Sequence, residues 1–201
     1  MKTFIGIDLG STTTKAVLLD ENCDVLGRGI TNSRSNYDTA CRVASDEARI
    51  DARFTLFRRE LSAVHVLEEK VDAILDALER AFRLEQFLEQ LADLEDTCLT
   101  QIKGDRFAGL EASVKEAVAE VFRRLRDEAA ALFAPGAQRK SDFFRDIAGS
   151  RYHTLAEAVA QDAGLAYELL LNVSTSRLSR LKTARRPAAW PTSSAARSTA
   201  C

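Results

Sequence analysis

Asp8, Gly10, Ser11, Thr12, Thr13, Thr14 and Lys15 stand in one run, FIGIDLGSTTTKAVLLD from Phe4 to Asp20. Their types suit one chemistry. Backbone N–H groups and hydroxyls of a Gly/Ser/Thr turn donate to phosphate oxygens. A carboxylate at the end of the preceding strand, Asp8, can hold Mg²⁺ through its waters, because Mg²⁺ dehydrates reluctantly. Gly10 allows either a positive φ or a close backbone approach. The Walker pattern G-x-x-x-x-G-K-[ST] does not fit, since Lys15 follows three threonines and an apolar strand follows where that loop needs a helix. The dinucleotide pattern G-x-G-x-x-G is also absent. A β-hairpin phosphate clamp with turn Gly10–Thr14 is the reading that remains. The bland alternative is a plain polar hairpin, but hairpin turns favour Asn-Gly or Asp-Gly over three successive threonines.

The elements that must position this turn are strands. Thr3–Asp8, Lys15–Asp20 and Val25–Ile30 read as β, with Glu21-Asn22-Cys23-Asp24 as a turn; Gly27 and Gly29 interrupt the third strand. From Thr31 to Lys103 there is neither Gly nor Pro, and apolar residues recur at three or four: Leu67, Val71, Ile74, Leu78, Leu84, Leu88, Leu91. This predicts long amphipathic helix in two segments, broken near Arg49–Arg53. A further helix is expected from about Ala108 to Phe133, stopped by Pro135-Gly136. Ser141 is read as the cap of a short helix through Ile147, and Thr154 as the cap of another from Leu155 to Leu171. The apolar stripes must pack on one another or on a partner.

Composition narrows the class. A chain of 201 residues with 46% apolar content can build a sizeable core. A net charge of −2 gives no reason to expect nucleic acid or an anionic membrane. No apolar run reaches the ~18 residues of a spanning helix, and no signal peptide is evident, so a cytoplasmic protein is expected. Cys23, Cys41, Cys98 and Cys201 form no C-x-x-C pair, which argues against structural zinc or a disulfide framework. His65 and His153 lack partners at ligand spacing and read as structural. Glu68, Glu69 and Lys70, like Arg123, Arg124 and Arg126, read as solvated helix faces. Arg139-Lys140-Ser141-Asp142 before Phe143-Phe144 reads as a charged loop leading into packing.

Residues 174–201 differ in texture. They contain Arg and Lys but no Asp or Glu, and show no apolar period, as in a disordered basic tail. One permitted codon choice for Val173 to Thr183, read in a shifted frame, gives Leu-Asp-Lys-Ser-Ile-Val-Glu-Val-Glu-Asn, which alternates like a strand. A truncation or frameshift near residue 173 is therefore expected.

At the hairpin the sequence resembles a known superfamily. IGIDLGSTTTKAVLLD is similar to the first phosphate motif of the actin, sugar-kinase and heat-shock-chaperone ATPase fold. GIDLGSTTTK resembles the activator ATPases of radical 2-hydroxyacyl-CoA dehydratases and of ATP-dependent benzoyl-CoA reductase. GRGITNSRSNYDTACRVA, ARIDARFTLFRREL, FRLEQFLEQLADLEDTC and ALFAPGAQRKSDFFRDIAGSRY resemble the reductase's ATPase (electron-activating) subunit with a helical insertion, of the BadF/BadG/BcrA/BcrD type. The resemblance spans about residues 1–173.

It implies an α/β fold: an N-terminal β-hairpin and three-strand start of an actin-like (ribonuclease H-like) ATPase lobe, then a mainly α-helical insertion. The expected divisions are 1–33 for the strands, 34–173 for the insertion and 174–201 for a disordered tail. The resemblance implies ATP and Mg²⁺ as ligands. It also implies ATP hydrolysis coupled to low-potential electron transfer from ferredoxin to benzoyl-CoA, through a 4Fe-4S cluster shared by paired ATPase subunits. The implied partners are the paired ATPase subunit, the catalytic subunits and ferredoxin. Asp8, Gly10, Ser11, Thr12, Thr13, Thr14 and Lys15 match the phosphate motif. The family's second phosphate motif, cluster-cysteine loop and adenosine glycines do not occur here. Cys23, Cys41 and Cys98 match no cluster position, so no iron–sulfur ligand is expected from this chain, and the chain alone is expected to be inactive. The alternatives are a sugar or acyl kinase of the same fold, or a non-enzymatic helical interaction module.

Overall fold

The computed structural model describes residues 2–33, 36–64, 70–104, 107, 109–138, 141 and 143–178, with backbone alone for 175–178. The expectations for His65, Leu67, Glu68, Glu69, Arg139, Lys140, Asp142 and residues 179–201 lie outside these.

Three strands open the chain: β1 (Thr3–Leu9), β2 (Thr13–Asp20) and β3 (Val25–Asn32). They pair antiparallel in the order β1-β2-β3, with Asp8 opposite Lys15 and Ala16 opposite Gly29. The turn between β2 and β3 is built by Asp20. Its buried carboxylate accepts from the backbone N–H of Asn22 (2.9 Å) and Asp24 (3.0 Å), an Asx-type turn. Cys23 takes the left-handed φ of 67° that closes it.

Helix α1 (Tyr37–Ser62) lies across β2 and β3. The Asn36 side chain caps it by accepting from the Thr39 N–H at 2.9 Å. The glycines of β3 explain the fit. A Cβ on Gly27 would stand 2.2 Å from the Ala48 carbonyl oxygen, and one on Gly29 would stand 2.0 Å from that of Ala44. Ala44, Ala48 and Ala52 recur at four-residue spacing, so one helix ridge of buried methyl groups faces two bare glycines. Gly27 and Gly29 therefore do not shorten β3. They let helix and sheet backbones touch, around the small core of Ala16, Ala44 and Ala48.

Four more helices follow: α2 (Val71–Thr100), α3 (Glu111–Leu132), α4 (Phe144–Ala163) and α5 (Tyr167–Leu178). They close on one another around a second, larger core. Phe87, Leu91, Leu94 and Cys98 of α2 meet Val114, Val118, Val121, Phe122 and Leu125 of α3, with Tyr152, Ala156 and Val159 of α4 and Leu170 and Val173 of α5. Buried Tyr152 donates its hydroxyl to the Leu170 carbonyl at 3.1 Å, and burial pushes its phenol up from the ordinary value. The bundle is tied to α1 by an Arg83–Glu47 pair (2.7 Å), an edge-on Phe54–Phe82 contact (5.8 Å) and an Arg58–Asp72 pair.

Several expected boundaries move. No break occurs near Arg49–Arg53: α1 runs on, because Ile50 and Ala52 continue its buried face. The buried stripe of α2 runs through Val71, Leu75, Phe87, Leu91, Leu94 and Cys98, which leaves Ile74 exposed. Ser141 precedes α4 by three residues; its Oγ accepts from the Phe143 N–H and donates to Asp146. Thr154 starts no helix, since its hydroxyl bonds back to the Ser150 carbonyl (3.3 Å) inside an unbroken α4. The real stop is Gly164, at φ 63°, with the Leu165 N–H returning to the Ala160 carbonyl at 2.9 Å. Residues 174–178, expected to belong to the tail, are helical within α5, and Ser174 is fully buried. Among the described residues, no helix is long and apolar enough to cross a membrane.

Gly29→Ala is expected to destabilise the fold by about 2–3 kcal/mol through overpacking. Gly6→Ala, with nothing within 4 Å of the added methyl, is expected to stay within about 1 kcal/mol. Equal midpoints in urea denaturation would contradict the close-contact account. On α3, side-chain hydrogen bonds from Arg123 and Arg124 hold the Glu120 carboxyl at about 2, against an ordinary 4.5. Its folded value is depressed, so its small, solvent-screened contribution is complete above the unfolded pKa and fades as pH falls toward 2. A carboxyl-carbon NMR titration should place the Glu120 midpoint near 2; an unshifted midpoint would show the pair open in solution.

Candidate functional site

The turn is shorter than the sequence suggests. β2 begins at Thr13, and the Gly10 N–H bonds to the Thr13 carbonyl at 3.0 Å. Gly10 does not use a positive φ. Its missing side chain serves tightness, since a Cβ would lie 2.6 Å from the Thr13 carbonyl oxygen.

Strand alternation sorts the candidate residues onto two faces. Asp8 and Lys15 are cross-strand neighbours, both exposed, on the sheet face away from α1. Ser11 and Thr12 are exposed at the tip, and Thr13 is half-buried. Thr14 points the other way. It is fully buried, and its hydroxyl is 2.8 Å from the Ser33 hydroxyl. The expectation of an open Thr14 hydroxyl in the turn is corrected: a pairing with Leu9 places it inside β2, on the helix side.

Sequence reasoning missed Ser33. It directly follows β3 and is 2% exposed. Its Oγ donates to the Gly10 carbonyl at 2.5 Å, and its N–H donates to the Thr12 carbonyl at 2.9 Å. A lone serine after a strand carries no signal of its own; only the antiparallel register, which continues Thr13↔Asn32 by one step, brings it under the turn.

This arrangement fits a phosphate. With both carbonyls held by Ser33, planar trans peptides turn the N–H groups of Ser11 and Thr13 away from Ser33. The exposed tip carries the Ser11 and Thr12 hydroxyls, which can donate to an anion, and Asp8 lies near the end of β1, where a hydrated Mg²⁺ can be held.

The family model of the BadF/BadG/BcrA/BcrD ATPase family matches residues 5–163. The chain belongs to this ATPase family. The match starts within β1 and ends with α4, so it takes in the hairpin, α1 and most of the helical bundle. The family's description as ATPases implies a nucleotide ligand. No curated protein and no solved structure matches the chain.

The residues described do not assemble a cluster site. Cys23 is exposed in the β2–β3 turn, Cys41 is half-buried on α1, and Cys98 is buried in the bundle with its thiol 3.9 Å from the Val173 carbonyl. Among the described residues, no group of three or more His, Cys, Asp or Glu is placed to hold a metal ion.

Replacing the buried Thr14 hydroxyl by Val should cost about 1–2 kcal/mol, because the Ser33 hydroxyl loses a partner out of water. Thr12→Val, at the exposed tip, should cost less than about 0.5 kcal/mol. Thermal denaturation of the two variants checks this, and the reverse order would overturn the assigned faces.

Proposed function

We propose that the hairpin is the phosphate-1 half of an ATP·Mg²⁺ site. On this reading the Ser11 and Thr13 N–H groups and the Ser11 and Thr12 hydroxyls hold phosphate oxygens. Asp8 anchors the hydrated Mg²⁺, Lys15 adds positive charge beside the phosphates, and Gly10 and Thr14 shape the turn. Bound Mg²⁺ would supply charge neutralisation between phosphate oxygens. The observation that supports the reading is the exposed Ser11–Thr12 tip, its flanking carbonyls held from beneath by Ser33, in a chain of an ATPase family.

The finer reading follows the sequence resemblance. The chain is the N-terminal part of a benzoyl-CoA reductase ATPase subunit, whose ATP hydrolysis drives electrons from ferredoxin toward benzoyl-CoA. Residues 1–33 begin the ATPase lobe, and 34–178 carry the inserted helices with α1 joining the two. The 4Fe-4S cluster belongs to the complete subunit pair. The partners are the paired ATPase subunit and the catalytic subunits, in the cytoplasm. The self-contained core of α2–α5 supports an insertion that folds on itself.

Amide chemical shifts followed during an ATP·Mg²⁺ titration test the site. Gly10, Ser11, Thr12 and Thr13 are expected to move, and Asp8→Asn is expected to remove the Mg²⁺ dependence of that movement while the α2–α5 signals stay put. Movement confined to the bundle would overturn the site. Co-expression with the other reductase subunits tests the finer reading: the chain should co-purify with them, and its failure to do so when soluble and folded would count against it.

A further inference from the structure

Ser33 ties the β1–β2 turn from beneath. It is buried, it lies 23 residues from Gly10 in sequence, and it binds the turn at two backbone carbonyls. Its hydroxyl makes two contacts at once. It donates to the Gly10 carbonyl and lies 2.8 Å from the Thr14 hydroxyl. A hydroxyl has one proton, so the proton given to Gly10 leaves the Ser33 oxygen to accept from Thr14. The chain Thr14 → Ser33 → Gly10 therefore has one direction.

The Gly10–Ser11 peptide needs such a restraint. Rotating this peptide plane changes ψ of Gly10 and φ of Ser11 together, and glycine leaves the first of these free. In the observed orientation its carbonyl faces Ser33 and its N–H faces out. Rotated by half a turn, it would show a carbonyl oxygen to an incoming anion, with a repelling dipole in place of a donor. Peptide orientation at this one bond thus sets the sign of the tip's electrostatics.

We propose that Ser33 is a positioning residue for the phosphate-binding turn: its hydroxyl fixes the Gly10–Ser11 peptide with the N–H outward, and Thr14 fixes the Ser33 proton. The proposal rests on the nucleotide reading given above. Ser33 touches no ligand and acts through the backbone of Gly10 and Thr12. A preset donor array keeps affinity that a mobile one loses in ordering.

The test uses the full chain and two probes, inorganic pyrophosphate and ATP·Mg²⁺, followed by amide chemical shifts well below the unfolding temperature. Millimolar binding is visible in such a titration. In the wild-type chain the Ser11 and Thr13 amides should shift on addition of either probe. Ser33→Ala should weaken the response about tenfold, with the Ser11 amide displaced before any ligand is added. Signals of the α2–α5 core, such as Tyr152, report that the variant is folded. Ser33→Thr keeps the hydroxyl and should restore most of the response, which a purely structural role at this position would not predict. A folded Ser33→Ala chain with wild-type affinity for both probes overturns the positioning role and leaves the nucleotide reading standing. A wild-type turn indifferent to both probes overturns the nucleotide reading, and the positioning role with it.

Discussion

The close contact between α1 and β3 is the constraint from which the rest of this molecule is assembled. Two glycines on the strand and an alanine ridge on the helix allow backbone to meet backbone, and the steric margin is negative for even one methyl group. That contact fixes the height of α1 above the sheet and covers Ala16 and Thr14 from one side. It also sets the end of β3, and therefore Ser33, against the first hairpin.

Two cores of different character result. The one under α1 is small and made of alanine methyl groups, so its strength lies in proximity and dispersion more than in apolar area. The one inside α2–α5 is large, aromatic and aliphatic. Arg83 with Glu47 and Arg58 with Asp72 tie them by charge, and Phe54 with Phe82 by an aromatic edge contact. Half-exposed ion pairs contribute little each. Meanwhile every residue of β1 is exposed, including Phe4 at 58% and Leu9 at 53%, so the sheet ends on an apolar edge strand. Such an edge is a ready template for another strand.

The sequence was most legible where period and punctuation agreed. Strand alternation placed β1 and β2 to within a few residues, and Pro135-Gly136 marked the end of α3. It misled where one residue type has two uses. Gly27 and Gly29 read as strand breakers, yet they are contact residues, because a helix opposite them has no sequence signature at the strand itself. Ser141 and Thr154 read as helix caps by type; one bonds near a helix start and the other sits within α4, and only coordinates separate these cases. Gly164, left-handed at the end of α4, is the stronger boundary signal of the two. At the site, Asp8 and the Gly10–Thr13 turn were legible as a motif. The face of Thr14 and the part played by Ser33 were not, since both depend on register with β3.

Helix α1 has one further consequence. At 26 residues without interruption it is a rod about 39 Å long. It starts close behind the segment that clasps the hairpin, and its far end meets α2 at Arg58–Asp72. A rod converts angle into distance: a tilt of about 5° about the contact at Ala48 would carry the Ser62 end, about 21 Å away, through about 2 Å. The glycine contact that holds α1 so tightly is therefore also a fulcrum, and the helical bundle is the long arm of the lever.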